Sequence, residues 1–143
     1  SDGDDLFAVG YQGRVARLAR DSGQVLWAHD LSSYRGLAVT EDAVYVSGSE
    51  GDVVRLDRRT GAEKWRQKAL ARRGLSAPAV VDDSVVVGDF DGIVHWLDAG
   101  DGHFLARAKT GGRISSAPQV LAGGQVLVFD DDGGLSVFRT ARR

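Results

Sequence analysis

Short apolar runs alternate with polar, glycine-containing turns along the whole chain, a pattern typical of β-strands joined by hairpins. Residues 43–47 (Ala-Val-Tyr-Val-Ser) are β-branched and aromatic, which favours a strand. The polar turn 49–51 (Ser-Glu-Gly) follows, and residues 52–57 supply the next predicted strand. No helical period of about 3.6 residues persists through three turns anywhere in the sequence. The pattern therefore predicts an all-β fold.

This strand-and-turn unit occurs four times. Glycines spaced 38, 41 and 41 residues apart mark it: Gly13, Gly51, Gly92 and Gly133. A large apolar residue follows each glycine by five positions: Leu18, Leu56, Leu97 and Phe138. A repeat of roughly 40 residues is typical of a four-stranded β-propeller blade. The register predicts propeller blades with these glycines at tight turns.

Two further positions recur within the units. A second glycine follows the first by ten residues in three units, at Gly23, Gly61 and Gly102. Glycine readily adopts the positive φ of a hairpin turn, so a second hairpin is predicted there. Trp27 and Trp65 close the first two units, with Ala106 at the third equivalent place. We expect the tryptophans to pack between neighbouring blades; stacking on a quinone cofactor is the alternative.

An inner strand precedes each complete unit and is clearest at 76–81 and 116–121, where Pro78 and Pro118 stand near the start. The strands then number three, four, four and three in successive units, or about three and a half blades of four antiparallel strands. The whole chain is predicted to be one partial propeller domain, residues 1–143, with blade units at approximately 4–31, 35–70, 75–110 and 114–143.

The incomplete units at both ends leave open sheet edges, which are prone to pair with another chain. We expect the chain to be part of a larger ring or to self-associate through these edges, since two copies would supply 28 strands. Because the last blade of a propeller is commonly completed by an N-terminal strand, Arg143 is expected to be a natural end. The start at Ser1 is expected to be a cut in a longer sequence.

Composition narrows the possible functions. The net charge of −2 gives no general attraction to nucleic acid, and no run of 18 apolar residues could span a bilayer. The 143 residues include no cysteine, which excludes disulfides and thiolate chemistry.

The side chains that often carry chemistry show no catalytic spacing. His29, His95 and His103 lack a metal-binding pattern, although His95 and His103 flank one hairpin. The acidic run 130–134 lacks the spacing of a calcium loop and occupies a hairpin position, which favours a turn. No serine has a G-x-S-x-G context. The sequence therefore predicts no enzyme activity, no cofactor and no metal site.

Basic residues collect in the connections between blades, which leave a propeller on one rim. Together with Tyr34, which precedes Arg35, these arginines define a candidate partner-docking rim: Tyr34, Arg35, Arg72, Arg73 and Arg113. Arg73 and Arg113 each lie three residues before a serine of the proline motif, so they are expected to project from equivalent places. Arginine is favoured at interfaces, but solvated loop charge explains the same residues. Both interpretations remain open on the sequence.

Residues 55–65 (Arg-Leu-Asp-Arg-Arg-Thr-Gly-Ala-Glu-Lys-Trp) resemble the repeat of pyrroloquinoline-quinone-type propellers, with its LD-x-x-TG-x-x-x-W signature. Residues 70–78, 87–96 and 101–106 together resemble the C-terminal half of the BamB family, the outer-membrane β-barrel assembly lipoproteins of Gram-negative bacteria. The likeness covers essentially the whole chain.

This resemblance implies an eight-bladed propeller at the periplasmic face of the outer membrane, lipid-anchored at an N-terminal cysteine. It implies a non-catalytic scaffold of the outer-membrane β-barrel assembly complex, with the periplasmic domains of BamA and unfolded outer-membrane proteins as partners. The anchor and the loops usually described as contacting BamA would lie upstream of Ser1. A quinoprotein dehydrogenase fragment and a ligand-sensing propeller domain are the alternatives; the first would need calcium-binding carboxylates and usually a vicinal cysteine pair.

Overall fold

The computed structural model describes residues 5–11, 14–30, 36–48 and 51–139, which form fourteen strands and one 3-10 turn, Ala122–Gly124. The strands of the first two sheets are β1 (Asp5–Tyr11), β2 (Arg14–Ala19), β3 (Val25–Asp30), β4 (Gly36–Val39), β5 (Ala43–Ser47), β6 (Val53–Asp57) and β7 (Glu63–Gln67). Those of the last two sheets are β8 (Ala79–Val81), β9 (Ser84–Gly88), β10 (Ile93–Asp98), β11 (Phe104–Lys109), β12 (Gln119–Leu121), β13 (Gln125–Phe129) and β14 (Leu135–Arg139).

Strands that are consecutive in sequence pair into four antiparallel sheets. The sheets are β1–β3, β4–β7, β8–β11 and β12–β14, each with its strands in chain order. The predicted all-β fold of antiparallel blades is confirmed, and the strand numbers of three, four, four and three agree with the repeat pattern. No helix of the described ranges is long and apolar enough to cross a membrane.

The inner strands are shorter than the sequence predicted. β8 and β12 begin directly after Pro78 and Pro118, so the predicted strands 76–81 and 116–121 start three residues too early. Proline has no N–H to give to a sheet ladder, which explains why regular pairing starts after it. Ser76 keeps a separate hydrogen bond, from its N–H to the Gly88 carbonyl at 2.9 Å.

Two repeat glycines, Gly51 and Gly92, lie where a blade turn meets the connection that leaves the blade, whereas a Cβ on Gly133 would meet nothing within 4 Å. A Cβ on Gly51 would come within 2.1 Å of the Leu70 carbonyl oxygen, and one on Gly92 within 2.6 Å of the Gly112 oxygen. Positive φ angles accompany this close approach, 104° at Gly51 and 81° at Gly92. Gly13 lies outside the described residues. The missing side chain therefore lets turn and connection pack backbone to backbone.

The core consists of three apolar layers, one between each pair of neighbouring sheets. Alternate residues of a strand point to opposite faces, so an inner sheet contributes to two layers. In the second sheet, Val54 and Leu56 face the first sheet while Tyr45 and Val53 face the third. Every residue of β5 is accordingly buried. The molecule is a row of sheets stacked face to face.

Tryptophans join the outer parts of these sheets. Trp27 Nε1 donates to the Arg58 carbonyl at 2.7 Å, and Trp65 Nε1 donates to the Ala99 carbonyl at 3.0 Å. Each ring lies on the glycine of the next sheet's outer hairpin, where a Cβ would approach within 2.6 Å at Gly61. Each contact joins one sheet to the next. The two tryptophans therefore lie between neighbouring sheets, where the sequence analysis expected them to pack.

Candidate protein-docking rim

Two connections and two hairpin turns lie side by side along one rim of the molecule. The connections 68–78 and 110–118 contact the turns 89–92 and 130–133; together we call these four segments the loop rim. The Phe90 N–H donates to the Arg73 carbonyl at 2.9 Å, and the Asp131 N–H donates to the Arg113 carbonyl at 2.8 Å. Arg73 and Arg113 therefore occupy equivalent places in successive sheets.

Asp89 is the buried anchor of the loop rim. Its carboxylate, with no exposed surface, accepts hydrogen bonds at Oδ1 from the N–H groups of Asp91 (2.9 Å) and Ile93 (3.0 Å). Aspartate favours this local turn, because its side chain can bond backbone two residues further on. Its backbone carbonyl accepts from the Ile114 N–H at 3.0 Å. Asp89 thus holds both its own turn and the next connection.

His95 completes the buried end of this cluster. The imidazole is 2% exposed, and its Nε2 lies 2.8 Å from Asp89 Oδ2. Burial lowers the pKa of His95 below its ordinary value of 6.5, although the contact with Asp89 favours the charged form. The ring of Phe104 also packs edge-on against the imidazole, with 6.0 Å between the ring centres.

Arg73 covers the buried pair on the solvent side. Its Nη1 lies 3.4 Å from Asp89 Oδ2 and 3.4 Å from Asp91 Oδ2. The guanidinium is partly exposed, so it both compensates the buried carboxylate and remains available at the surface. Arg73, Asp89 and His95 form a continuous polar column from the rim into the fold.

Arg113 instead lies over an aromatic ring. Its guanidinium carbon is 4.7 Å from the centre of the Phe90 ring, a cation–π contact. Gly74 lies against the same ring, where a Cβ would come within 2.5 Å. Phe90 is 41% exposed, so the ring is held in place without being buried.

Of the three remaining residues of the predicted rim, the structure describes only Arg72. Arg72 is exposed and adopts a φ of 67°, which is uncommon for a residue other than glycine. Tyr34 and Arg35 lie outside the described residues.

Sequence reasoning missed Asp89 and Phe90 as members of the loop rim and His95 as the buried partner of Asp89. A signal existed for Asp89, because Asp130 stands at the same place, three residues before the turn glycine of the next unit. Asp130 likewise accepts turn hydrogen bonds, from the N–H groups of Asp132 and Gly134. Phe90 had an aromatic counterpart in Tyr11, two residues before Gly13, whereas the places equivalent to His95 carry no second histidine.

The loop rim carries both signs of charge around Phe90. Its exposed charged side chains are Lys68, Arg72, Arg113, Asp91, Asp131 and Asp132. An aromatic residue with a stacked arginine inside a polar border is the composition of a protein–protein contact, whereas phosphate recognition needs a predominantly basic surface.

A separate polar cluster occupies the outer hairpin of the third sheet. Ligand atoms of Asp98, Asp101 and His103 lie within 4.8 Å of one another, at or near the surface. Asp98 Oδ2 accepts from the Gly100 N–H at 3.1 Å, and Asp101 Oδ1 contacts His103 Nδ1. The hydrogen bond to Asp101 raises the pKa of His103. These are the contacts of an exposed turn. His103 pairs with Asp101 at the surface, whereas His95 pairs with the buried Asp89.

Comparison with known proteins places this geometry in a family. The family model described as outer membrane protein assembly factor BamB matches residues 1–67 and 49–142. The protein of that name from Pseudomonas aeruginosa is 42% identical over 136 residues, covering 95% of this chain and 36% of the relative. The Escherichia coli protein is 31% identical over 128 residues, covering 90% and 33%. The chain spans about a third of the length of these curated relatives.

Solved structures agree on the fold. The crystal structure of BamB from Moraxella catarrhalis matches with a TM-score of 0.88 and 31% identity, over 98% of this chain and 41% of that one. The computationally designed Ika4 protein matches with a TM-score of 0.87 at 21% identity, over 99% and 88%. Quinohemoprotein alcohol dehydrogenase from Comamonas testosteroni matches with a TM-score of 0.73 at 18%, over 87% and 27%. The last two likenesses show the fold alone. The family match, the relatives and the repeated sheets together establish that this chain belongs to the family of the outer membrane protein assembly factor BamB.

Proposed function

We propose that this chain is part of a non-catalytic scaffold for the assembly of outer-membrane proteins, and that its loop rim docks a protein partner. The observation that carries the proposal is the half-exposed Phe90 ring, fixed between Arg113 and Gly74 above the buried Asp89. Rigid aromatic and arginine side chains give the largest contributions to protein interfaces. The periplasmic domains of BamA are the proposed partner, at the periplasmic face of the outer membrane, where a lipid anchor would hold the complete protein.

Titration of the chain with the periplasmic domains of BamA tests this proposal. Phe90→Ala and Arg113→Ala are each expected to weaken binding by about tenfold or more, because each removes half of the stacked pair. The matched controls are Leu26→Ala on β3 and Arg59→Ala in the hairpin between β6 and β7, both outside the rim; Leu26 is 46% exposed, close to the value for Phe90. No binding by the unchanged chain, or equal losses in the rim and control variants, would refute the proposal.

A quinoprotein dehydrogenase fragment is the second candidate, because residues 55–65 resemble the repeat of pyrroloquinoline-quinone-type propellers. The sequence argues against it, since it has no cysteine for a vicinal pair. We expect no dye-linked alcohol oxidation after addition of pyrroloquinoline quinone and calcium, and quinone-dependent oxidation would establish the enzyme instead.

A further inference from the structure

A groove separates the outer parts of the second and third sheets. It has a volume of about 450 Å³ and lies between strand β11 and the beginning of the connection 68–78. Leu70 and Phe104 line it with apolar surface. Arg73 and Arg107 line it with positive charge. Both sheets have four strands, so the groove lies between two complete blades.

Arg107 provides the unpaired charge of this groove. It lies opposite His95 in the strand register, on the face of the third sheet that is turned toward the second. Within the described part of the chain, Arg107 has no hydrogen bond or ion pair. Arg73, by contrast, already lies 3.4 Å from the carboxylates of Asp89 and Asp91. A further anion is therefore expected to bind at Arg107.

The second sheet shows what an arginine at this place normally contacts. Arg66 is the counterpart of Arg107, because each follows the turn glycine of its unit by fifteen residues. The guanidinium of Arg66 lies 2.7 Å from the carboxylate of Asp52 and 2.7 Å from that of Glu63. In the second sheet, therefore, the chain itself supplies two carboxylates to this arginine.

The third sheet replaces both carboxylates by apolar side chains. Ile93 stands at the place of Asp52, and Phe104 stands at the place of Glu63. The Phe104 ring is 40% exposed and borders the groove beside Arg107. The repeat thus keeps the arginine, omits its two acidic partners and puts an exposed aromatic ring next to it.

We propose that this groove binds an acidic segment of a partner polypeptide, with a carboxylate side chain on Arg107 and a neighbouring apolar side chain against Leu70 and Phe104. Arginine and carboxylate form two parallel hydrogen bonds, which fix orientation as well as charge. These contacts use side chains and need no strand pairing on β11. The contact is separate from the docking of BamA at Phe90, and its test contains no BamA, so either proposal can fail alone.

The charge and the openness of the groove select this occupant. The carboxylates of Asp89 and Asp91 beside Arg73 would repel a doubly charged phosphate more strongly than a single carboxylate. Phe104 and Leu105 are 40% and 47% exposed, so the groove is open along β11. A small ligand gains affinity when most of its surface is buried, whereas a peptide can extend beyond an open groove.

Nuclear magnetic resonance titration of the isotope-labelled chain tests the proposal with two peptides. The probe is an acetylated and amidated peptide with the sequence Leu-Glu-Phe-Glu, and its uncharged match has the sequence Leu-Gln-Phe-Gln. We expect saturable shifts of the signals of Arg73 and of residues 104–107 with the first peptide only. Inorganic phosphate at the same concentration should not displace it.

Variants of the two equivalent arginines locate the contact. Arg107→Gln is expected to weaken binding of the acidic peptide by about fivefold or more, because it removes the charged partner of the carboxylate. Arg66→Gln is the matched control and should leave binding unchanged, since Arg66 is already paired within the chain. Circular dichroism checks that both variants keep their strands.

A second pair of variants separates charge from apolar contact. Phe104→Gln removes the ring alone, whereas Phe104→Glu also puts a carboxylate where Glu63 stands beside Arg66. If Arg107 is the binding group, the glutamate variant should bind the acidic peptide more weakly than the glutamine variant does.

Four outcomes would overturn the proposal. The first is no binding of the acidic peptide, and the second is equal binding of the two peptides. The third is equal losses in Arg107→Gln and Arg66→Gln. The fourth is protection of the backbone amides along β11 by the bound peptide, which would indicate strand pairing at the sheet edge instead.

Discussion

Asp89 shows how one residue organises the loop rim. A buried carboxylate is costly unless it is paired and hydrogen-bonded, and here two amides, an imidazole and a guanidinium share that task. Asp130, at the same place in the next sheet, keeps the two amide contacts but has no His95 equivalent, because Ser136 stands there. Comparing Asp89 with Asp130 therefore distinguishes the stability that comes from the turn hydrogen bonds from the stability that comes from the buried Asp89–His95 pair.

Asp89→Asn is expected to lower the free energy of unfolding by about 2 kcal/mol more than Asp130→Asn. An asparagine oxygen can still accept from the turn amides at both positions, but only the change at 89 removes the charge that faces His95 and Arg73. Urea unfolding of the two variants measures the difference. Equal losses would show that the buried pair adds nothing to stability.

His95 is expected to titrate below its ordinary pKa of 6.5 and His103 above it. The charged groups facing His95 are Asp89, Arg73 and Arg107; burial lowers the pKa most, the two arginines lower it further, and only Asp89 raises it. The folded chain then binds the His95 proton less readily than the unfolded chain does. The contribution of His95 to stability is therefore complete above about pH 6.5 and is lost as the pH falls below that value.

Nuclear magnetic resonance titration of the three histidines checks this order, with His95→Gln and His103→Gln to assign the signals. An imidazole of His95 that gains its proton above pH 6.5 would contradict the burial argument.

At the scale of elements, the outer hairpins are the joints between sheets. Gly102 and Gly23 both lie in such hairpins with positive φ, 82° and 70°. A Cβ on Gly102 would approach the Trp65 ring within 2.5 Å, whereas one on Gly23 would meet nothing within 4 Å. Both glycines have a positive φ, but only Gly102 packs against a tryptophan ring. Substituting each of them therefore separates the cost of backbone strain from the cost of displacing Trp65.

Gly102→Ala is expected to cost about 3 kcal/mol, from backbone strain and displacement of Trp65. Gly23→Ala should cost only about 1 kcal/mol, from backbone strain alone. Urea unfolding midpoints of the two variants test the difference, and similar midpoints would mean that Trp65 does not hold the sheets together.

The elements that sequence could predict are those fixed by local chemistry and repetition. The glycine register and β-branched runs located the strands β5 and β6 and the order of the sheets, because hairpin geometry depends on neighbours in sequence. The register of Arg73 and Arg113 likewise predicted that the two arginines project from equivalent places. The Arg113–Phe90 stack and the Asp89–His95 pair depend on contacts between different elements, which no local pattern encodes. Strand starts at Ala79 and Gln119 were missed because the proline before each delays pairing.

At the scale of the whole molecule, the four sheets stack face to face, and the loop rim lies along one side of the stack. The rim is held by buried hydrogen bonds, so the proposed docking of a protein partner would need little reordering of the rim. A scaffold that recognises a protein through such a preformed surface needs no reacting group. These features agree with the assembly-factor family to which the chain belongs.

Amide hydrogen exchange of the chain, alone and with excess BamA periplasmic domains, tests the docking role of the loop rim most directly. The loop rim is expected to gain protection at residues 71–74, 90–92 and 111–115, while the outer strand β11 exchanges as in the free chain. Unchanged exchange throughout the chain, or protection that is confined to β11 and absent from these three segments, would contradict the assignment.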